Sequence, residues 1–416
     1  MNSASSTSPY AVAAAPAVQG TPARQASGAV RVASIDAYRG IVMVLMLAEV
    51  LELMTLAKAY PDSAWAQWLQ FHTTHVAWVG LSLHDMIQPS FSFLVGVSLP
   101  FSIAARRGRG KSFWSTLAHA AWRSLVLIGL GILLRSLSYT HTNFTFDDTL
   151  TQIGLGYLFL FLLAHTARSV QIAATLLILV GYWALFALWP LPPADFDWRS
   201  VGIANDWPHL LHGFQAHWNK HLNPAAAFDV WFMNLFPRET AYTYSSGGYC
   251  TLSFVPTLAT MLLGVLAGSV LRDGPNARRK LLLLLTAGVM LLLVGWGLGA
   301  AGLCPIVKRI WTPAWVLVSG GICCLTLGGL YAICDMRGWR AWAWPLLVVG
   351  ANSITAYVMS WTMEGPIKAF LKRHFGEEPF LIAGVTWEPI LLGAAVLLLM
   401  WLILLWLFRQ RIFVRI

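Results

Sequence analysis

The chain has 416 residues, of which 57% are hydrophobic and only 11% charged, with a net charge of +10. Soluble domains carry about 25% charged residues, so this composition excludes an ordinary water-soluble fold and predicts an integral membrane protein embedded in a lipid bilayer. In so apolar a chain the basic excess speaks to membrane orientation, and no nucleic-acid partner is expected.

Residues 1–30 are small, polar and proline-bearing, without the apolar block of a signal peptide, and predict a disordered cytoplasmic tail ahead of a transmembrane domain over 31–416. Apolar runs of about 17 to 25 residues, the length that crosses a hydrocarbon core of about 30 Å, then recur. They lie near 38–57, 85–104, 115–135, 149–167, 169–190, 251–271, 280–300, 313–334, 342–363 and 387–408. These runs predict an all-α polytopic fold of about ten transmembrane helices, since they are too long for barrel strands and lipid leaves no partner for unpaired backbone groups.

Basic residues orient the chain. With the amino-terminal tail in the cytoplasm, 18 of the 28 Lys and Arg fall inside, among them "ARRGRGK" (105–111), "RDGPNARRK" (272–280) and "FRQRIFVRI" (408–416), so both termini are expected in the cytoplasm. The opposite side holds the loops 58–84, 136–148, 191–250, 301–312 and 364–386, where nine of the eleven histidines fall or border. Within the long loop 191–250, "NPAAAFDVWFMNLFPR" (223–238) predicts an amphipathic helix on the membrane surface, with an interfacial aromatic belt and sugar stacking both open. "GVLAG" (264–268) predicts a close helix contact. The five cysteines have no metal-ligand spacing, and a Cys250–Cys304 disulfide is left open.

Charged groups inside apolar runs face a cavity or a partner. Asp36 and Arg39 open the first run, Glu49 and Glu52 lie deeper, and Asp85 opens the second. Asp36 and Arg39 can be a helix-start carboxylate and a snorkelling cation, but Glu49 calls for protein or water around it. In "HVAWVGLSLHDMIQPSF" (75–91) two histidines and Asp85 stand together, either holding a solvated loop or forming a reaction site at the membrane surface. Asp85 could orient an imidazole or start a helix, and His84 could merely face solvent. His72, His75, His84 and Asp85 are tolerable metal ligands in no known spacing, so no metal is expected.

Several blocks, in this order, resemble one family: "SIDAYRGIVMVLML" (34–47), "HVAWVGLSLHDMIQPSFSFLVGVSL" (75–99), "LTQIGLGYLF" (150–159), "GGYCTLSFVPTLATMLLG" (247–264), "PIVKRIWTPAWVL" (305–317) and "VVGANSITAYV" (348–358). They look like the membrane domain of the heparan-α-glucosaminide N-acetyltransferase family, including bacterial inner-membrane relatives associated with N-acetylglucosamine utilisation. The resemblance implies transfer of an acetyl group from cytosolic acetyl-CoA, as co-substrate, to the amine of glucosamine or a related amino sugar on the other side of a bacterial inner membrane. Dimers occur in the family, which leaves a homodimer as an expectation.

Residue by residue, the resemblance marks His75 of "H-x-x-W-x-G" as the catalytic imidazole, with Asp85 and Glu49 beside it in proton handling. It makes Trp78, Lys308, Trp311, Asn352 and Ser353 candidates for lining the acceptor cavity, and Ser34, Asp36 and Arg39 candidates for the CoA side, with Arg39 on a phosphate. The chain departs from the family where it reads "LAEVLEL" in place of a late asparagine, Val79 in place of an asparagine, and Gln152 in place of an arginine. Two other readings compete: an inner-membrane transporter of amino sugar or N-acetylglucosamine, and a structural membrane protein without chemistry.

Overall fold

The computed structural model describes residues 32–193 and 195–414, so the expected tail over 1–30 lies outside the described residues. Among those residues the chain forms sixteen helices joined by loops and short 3₁₀ turns, with one isolated β-bridge. α1 (Ala33–Leu47) starts where Asp335 accepts the amides of Ala33 (2.9 Å) and Ser34 (3.0 Å), a carboxylate from a distant segment acting as its cap. It runs on as a 3₁₀ turn and breaks at Glu52 (φ 48°) before α2 (Leu53–Lys58), and α3 (Ala64–His72) follows.

Next come α4 (Ile87–Gly108), α5 (Phe113–Ser136), α6 (Thr149–Leu163) and α7 (Arg168–Ala187), with α8 (Pro224–Met233) inside the long loop. The rest is α9 (Phe254–Asp273), α10 (Ala277–Ala300), α11 (Pro313–Leu330), α12 (Trp344–Ala351), α13 (Ser353–Thr362), α14 (Glu364–Phe375), α15 (Glu378–Leu381) and α16 (Glu388–Arg409). Short polar side chains open many of them: Ser112, Asp148, Asn223, Asn276 and Thr312 accept first-turn amides of α5, α6, α8, α10 and α11.

All ten expected runs are helical, yet they are not ten uninterrupted spans. Among the described residues seven helices are long and apolar enough to cross a membrane, and α12 with α13 makes an eighth if their 69° bend counts as one broken span. α6 has 15 residues, and the first run is split at Glu52. Hydropathy averages over a break, so run length alone overstates continuity.

The candidate spans differ in enclosure: the apolar stretch of α9 is 72% buried, against 17% for that of α10. α4 and α9 meet at small residues, as "GVLAG" predicts. A Cβ at Gly96 would overlap the Met261 carbonyl, one at Gly264 the Phe93 carbonyl, and one at Gly268 the Val97 carbonyl. Only a missing side chain lets the two backbones come so close.

The surface-helix expectation is partly corrected. α8 ends at Met233 and buries Ala225, Ala226 and Asp229 against the protein, leaving Val230 and Trp231 outward. Asp229 takes the Thr251 amide with both oxygens (3.2 and 2.9 Å), and burial pushes its carboxyl up to about 7. Phe228, Phe232 and Phe236 pack with Phe144 and Phe146, so these rings form an intramolecular cluster. All five cysteines are free and buried, and Cys250 and Cys304 are not bonded to each other.

Gly264→Ala places a methyl group against backbone that cannot retreat, and overpacking of this kind costs about 1 to 3 kcal/mol. Gly297→Ala on α10, where a Cβ meets nothing within 4 Å, gains helix propensity at no steric cost. Thermal midpoints in detergent should therefore fall for the first variant and hold or rise for the second. Equal midpoints would remove the α4–α9 contact as a determinant of stability.

Candidate active site

The loop between α3 and α4 is shaped by its sequence. Ser82 and Asp85 cap the start of α4 reciprocally: the Asp85 amide donates to Ser82 Oγ (3.3 Å), and the Ser82 amide donates to Asp85 Oδ2 (3.1 Å). The same carboxylate reaches back to the loop, taking the Val76 amide on Oδ2 (3.3 Å) and lying 2.7 Å from His75 Nδ1 through Oδ1. Asp85 thus both starts the helix and orients the imidazole.

A contact of 2.7 Å between a ring nitrogen and a carboxylate oxygen requires a proton between them, which puts the hydrogen on Nδ1 and leaves Nε2 as the free nitrogen of His75. Lys308 Nζ lies 3.3 Å from Asp85 Oδ1 and 3.0 Å from His75 Nδ1, so one carboxylate holds both a cation and an imidazole. Asp85 and Lys308 are almost fully enclosed, whereas the His75 side chain is 36% exposed. Burial lowers the His75 pKa below its ordinary value, opposed by the Asp85 hydrogen bond and reinforced by the Lys308 charge. Burial also brings Lys308 down to about 8, with Asp85 resisting the fall.

Lys308 reaches the site because its turn is clamped to the His75 loop. Val79 and Val307 form the β-bridge, and the Gly80 amide donates to the Ile306 carbonyl (3.0 Å). Gly80 sits at φ 122°, a conformation that calls for glycine, which explains the glycine of "H-x-x-W-x-G". Arg309 adds a hydrogen bond to the Val76 carbonyl (3.2 Å) and another to the Gly247 carbonyl.

Trp78 is fully buried and donates Nε1–H to the Trp218 carbonyl (3.0 Å), tying this loop to the long one. Trp311, at φ 51°, donates to Thr260 Oγ1 (3.1 Å), and Thr312 caps α11. The two tryptophans expected at the acceptor therefore hold the scaffold and do not line the cavity.

His75 opens onto a cavity of about 690 Å³. His84, Glu49, Lys308, Tyr249, Arg135 and Glu364 share its wall, and Ser245–Gly247 form a lip. Of the two acids left open in the first run, Glu52 is paired with Lys368 (2.6 Å), whereas Glu49 faces the cavity, its Oε1 3.7 Å from His84 Nε2. The His84 and His75 ring centroids are 4.3 Å apart. The lip is held by His221, whose ring nitrogens lie 2.6 and 2.8 Å from the carbonyls of Val201 and Ser245. Sequence reading left open whether His84 only faces solvent and missed Arg135; Glu364 was in view as a bracket of the ninth apolar run, and Tyr249 within "GGYC".

The remaining expected residues lie away from this cavity. Asn352 sits at the bend between α12 and α13 and holds the chain's end, donating to the Ile412 carbonyl (3.0 Å) and accepting the Val414 amide (3.0 Å), with Ser353 starting α13 beside it. Arg39 pairs with Asp36 (3.2 Å) and donates to Ser98 (2.9 Å), about 15 Å along the helix from Glu49 by helical rise. Ser34 is buried, its hydroxyl without a partner among the described residues.

Beyond Arg39, where α4 ends, Arg106, Arg107, Lys111, His119 and His165 line a second, smaller pocket of about 110 Å³. One apolar cluster, which includes Met43, Met46, Tyr357 and Met261, reaches both pockets: Leu99, Ile103 and Phe161 line the smaller one, Met46 and Tyr357 the larger. Gln152, which replaces a cation of the family pattern, donates to the carbonyls of Phe146 (2.7 Å) and Thr251 (3.1 Å) and serves as a structural bridge. Among the described residues no group of three or more His, Cys, Asp or Glu side chains is placed to hold a metal ion.

No protein-family model matches the chain. It is similar to heparan-alpha-glucosaminide N-acetyltransferase of Homo sapiens, 24% identical over 372 residues that cover 79% of this chain and 52% of the human protein. The Mus musculus protein of the same name is 24% identical over 379 residues, covering 81% of this chain and 54% of its own length. The chain thus spans about half the length of these relatives. The chain thus has apolar helices able to cross a membrane several times, and its distant likeness to heparan-alpha-glucosaminide N-acetyltransferases runs along most of its length.

Proposed function

We propose that the chain is a transmembrane N-acetyltransferase that moves the acetyl group of cytosolic acetyl-CoA to the amine of an amino sugar, glucosamine or a glucosaminide, on the other side of a bacterial inner membrane. The observation that carries this reading is the Asp85–His75–Lys308 cluster, with His75 and Lys308 lining a cavity of about 690 Å³, large enough for a sugar. The full proposal keeps ten spans with both termini in the cytoplasm, which puts the basic end of α4 on the CoA side and His75 on the acceptor side.

His75 Nε2 takes the amine proton or the acyl group, and either role needs a neutral ring. Asp85 fixes the tautomer and orientation, and Lys308 compensates the carboxylate. Glu49, Glu364 and Tyr249 offer acceptors and a donor to an ammonium-bearing sugar. Trp78, Trp311, Asn352 and Ser353 act on the acceptor at second hand, through the loops and the bend that they hold. At the other end Arg39, with Asp36 and Ser34 beside it, and the Arg106–Lys111 pocket make a basic mouth for CoA phosphates. Passage of the acyl arm requires the apolar cluster between the ends to part, and several of its members are methionines, the most adaptable apolar side chains.

A carrier of amino sugar is the second reading, favoured by one observation: the interrupted α1–α2 and bent α12–α13 segments pack on each other, and broken helices recur in transporters. Purified protein with acetyl-CoA and glucosamine should release free thiol, and His75→Ala should cut kcat by about 10²- to 10⁴-fold. Undiminished release in that variant removes His75 from the chemistry. Accumulation of unmodified sugar in sealed vesicles lacking acetyl-CoA supports the carrier instead.

The pH profile has a sign on each side. A lowered His75 pKa keeps the ring neutral to below pH 6.5, so kcat should fall on the acid side with an inflection under that value. Lys308 loses its charge above about 8, giving an alkaline limb there. Because the Lys308 charge lowers the His75 pKa, Lys308→Met should abolish the alkaline limb and move the acid inflection upward; an unshifted acid limb would separate the two groups. Arg39→Glu should raise the apparent KM for acetyl-CoA more than that for the sugar, and the reverse order would place Arg39 away from the donor.

A further inference from the structure

The acetyl-transfer reading, on which this inference rests, has a proton requirement that His75 alone does not meet. An aliphatic amine reaches the cavity near neutral pH largely as an ammonium ion. It must lose one proton before its nitrogen has a lone pair and a second as the N–C bond forms. In direct transfer, R–NH₃⁺ and the thioester yield the acetamide, the thiol and one H⁺: N–C forms, C–S breaks, one proton joins the departing thiolate and the other leaves the site. His75 has Nδ1 committed to Asp85, so Nε2 handles one proton at a time.

A second imidazole stands beside it. The His84 ring centroid is 4.3 Å from that of His75, and both rings line the same cavity. His84 Nε2 is 3.7 Å from Glu49 Oε1, an ion-pair distance and longer than a hydrogen bond, and the Glu49 side chain is 56% exposed to the cavity. His75–Asp85 and His84–Glu49 are thus two imidazole–carboxylate pairs side by side, one tight with its carboxylate buried, one loose with its carboxylate exposed, while the His84 ring itself is 18% exposed against 36% for His75. The other charged or titratable groups sharing a cavity with His84 are Glu52 and His72 on the α1–α3 side, and Lys308, Arg135, Asp147, Asp148, Tyr249, Tyr357 and Glu364 with His75. Glu52 and Glu364 are both bonded to Lys368, which leaves Glu49 as the carboxylate within ion-pair reach of His84.

We propose that His84, backed by Glu49, is the second base of the site: it takes the proton that the incoming ammonium must shed and passes it to water in the cavity mouth, while His75 takes the second amine proton and returns it to the thiolate.

The test is thiol release from acetyl-CoA with glucosamine as acceptor, from about pH 6 to about pH 9, for purified wild type, His84→Ala, Glu49→Gln and the double variant, with thermal midpoints to confirm folding. His84→Ala should lower kcat/KM for glucosamine by about 10²-fold at the acid end, and the deficit should shrink as rising pH deprotonates the ammonium without help. Glu49→Gln should show the same trend in smaller measure, and the double variant should be no worse than His84→Ala, because groups that act as one unit are not additive. A deficit of constant size across the pH range, or no deficit, overturns the assignment. Should His84→Ala not fold, Glu49→Gln alone decides by the same criterion. Absence of thiol release from wild type strikes the acetyl-transfer reading and this inference with it, whereas release from wild type with a pH-independent deficit in the variants strikes this inference alone.

Discussion

The site depends on one carboxylate with very little freedom. Asp85 is fully buried in the 3₁₀ turn His84–Met86 that leads into α4, and a buried carboxylate is tolerated only when its oxygens are taken up by hydrogen bonds and a cation. The Ser82 and Val76 amides use Oδ2, while His75 and Lys308 share Oδ1. Satisfying that one group therefore fixes the helix start, the fold of the preceding loop, the ring orientation of His75 and the position of a lysine from a turn more than two hundred residues away. A buried ion pair adds little net stability, so what it confers here is position.

Position is then protected by backbone. The Val79–Val307 bridge, the Gly80 bond to Ile306 and the Arg309 bonds to Val76 and Gly247 lock three loops at one end of the bundle, and buried Trp78 and Trp311 anchor two of them to what lies beneath. Loops on a rigid helical scaffold are where such a site is expected. Here the cavity's mouth is set by segments that the helices do not themselves orient.

The fold class was legible in the sequence because apolar runs of spanning length admit few alternatives, and every expected run is helical. The breaks were not legible: Glu52 adopts a left-handed backbone and Asn352 bends its segment by 69°, and neither changes a hydropathy average. The site was half legible. The spacing of His75 and Asp85 across a ten-residue loop suggested orientation or helix start, and Asp85 does both. Trp78, Trp311 and Asn352 were visible as motif residues, but a motif does not say whether a side chain meets a ligand or holds a loop; their hydrogen bonds to Trp218, Thr260 and the chain's end show the holding role. Arg135 and Glu364 come from distant helices and join the cavity only in three dimensions.

The proposed chemistry fits the division of the molecule along its helices. CoA carries several phosphate charges and does not cross lipid, whereas an acetyl group is small and neutral. A basic pocket at the end of α4, an apolar cluster in the middle and an imidazole with a fixed tautomer at the other end divide that problem in order: hold the anion, exclude ions and water, then finish proton transfer where bulk water can take the surplus proton. An apolar middle would be a flaw in a carrier of charged sugar, because each passage would drag an ammonium ion through a low-dielectric layer. It is no flaw when only a neutral acyl unit passes, and the same layer keeps the thioester away from water until the acceptor is in place. In the proposed orientation the two imidazole–carboxylate pairs stand where protons must be handled, with the exposed Glu49 carboxylate offering the way to water.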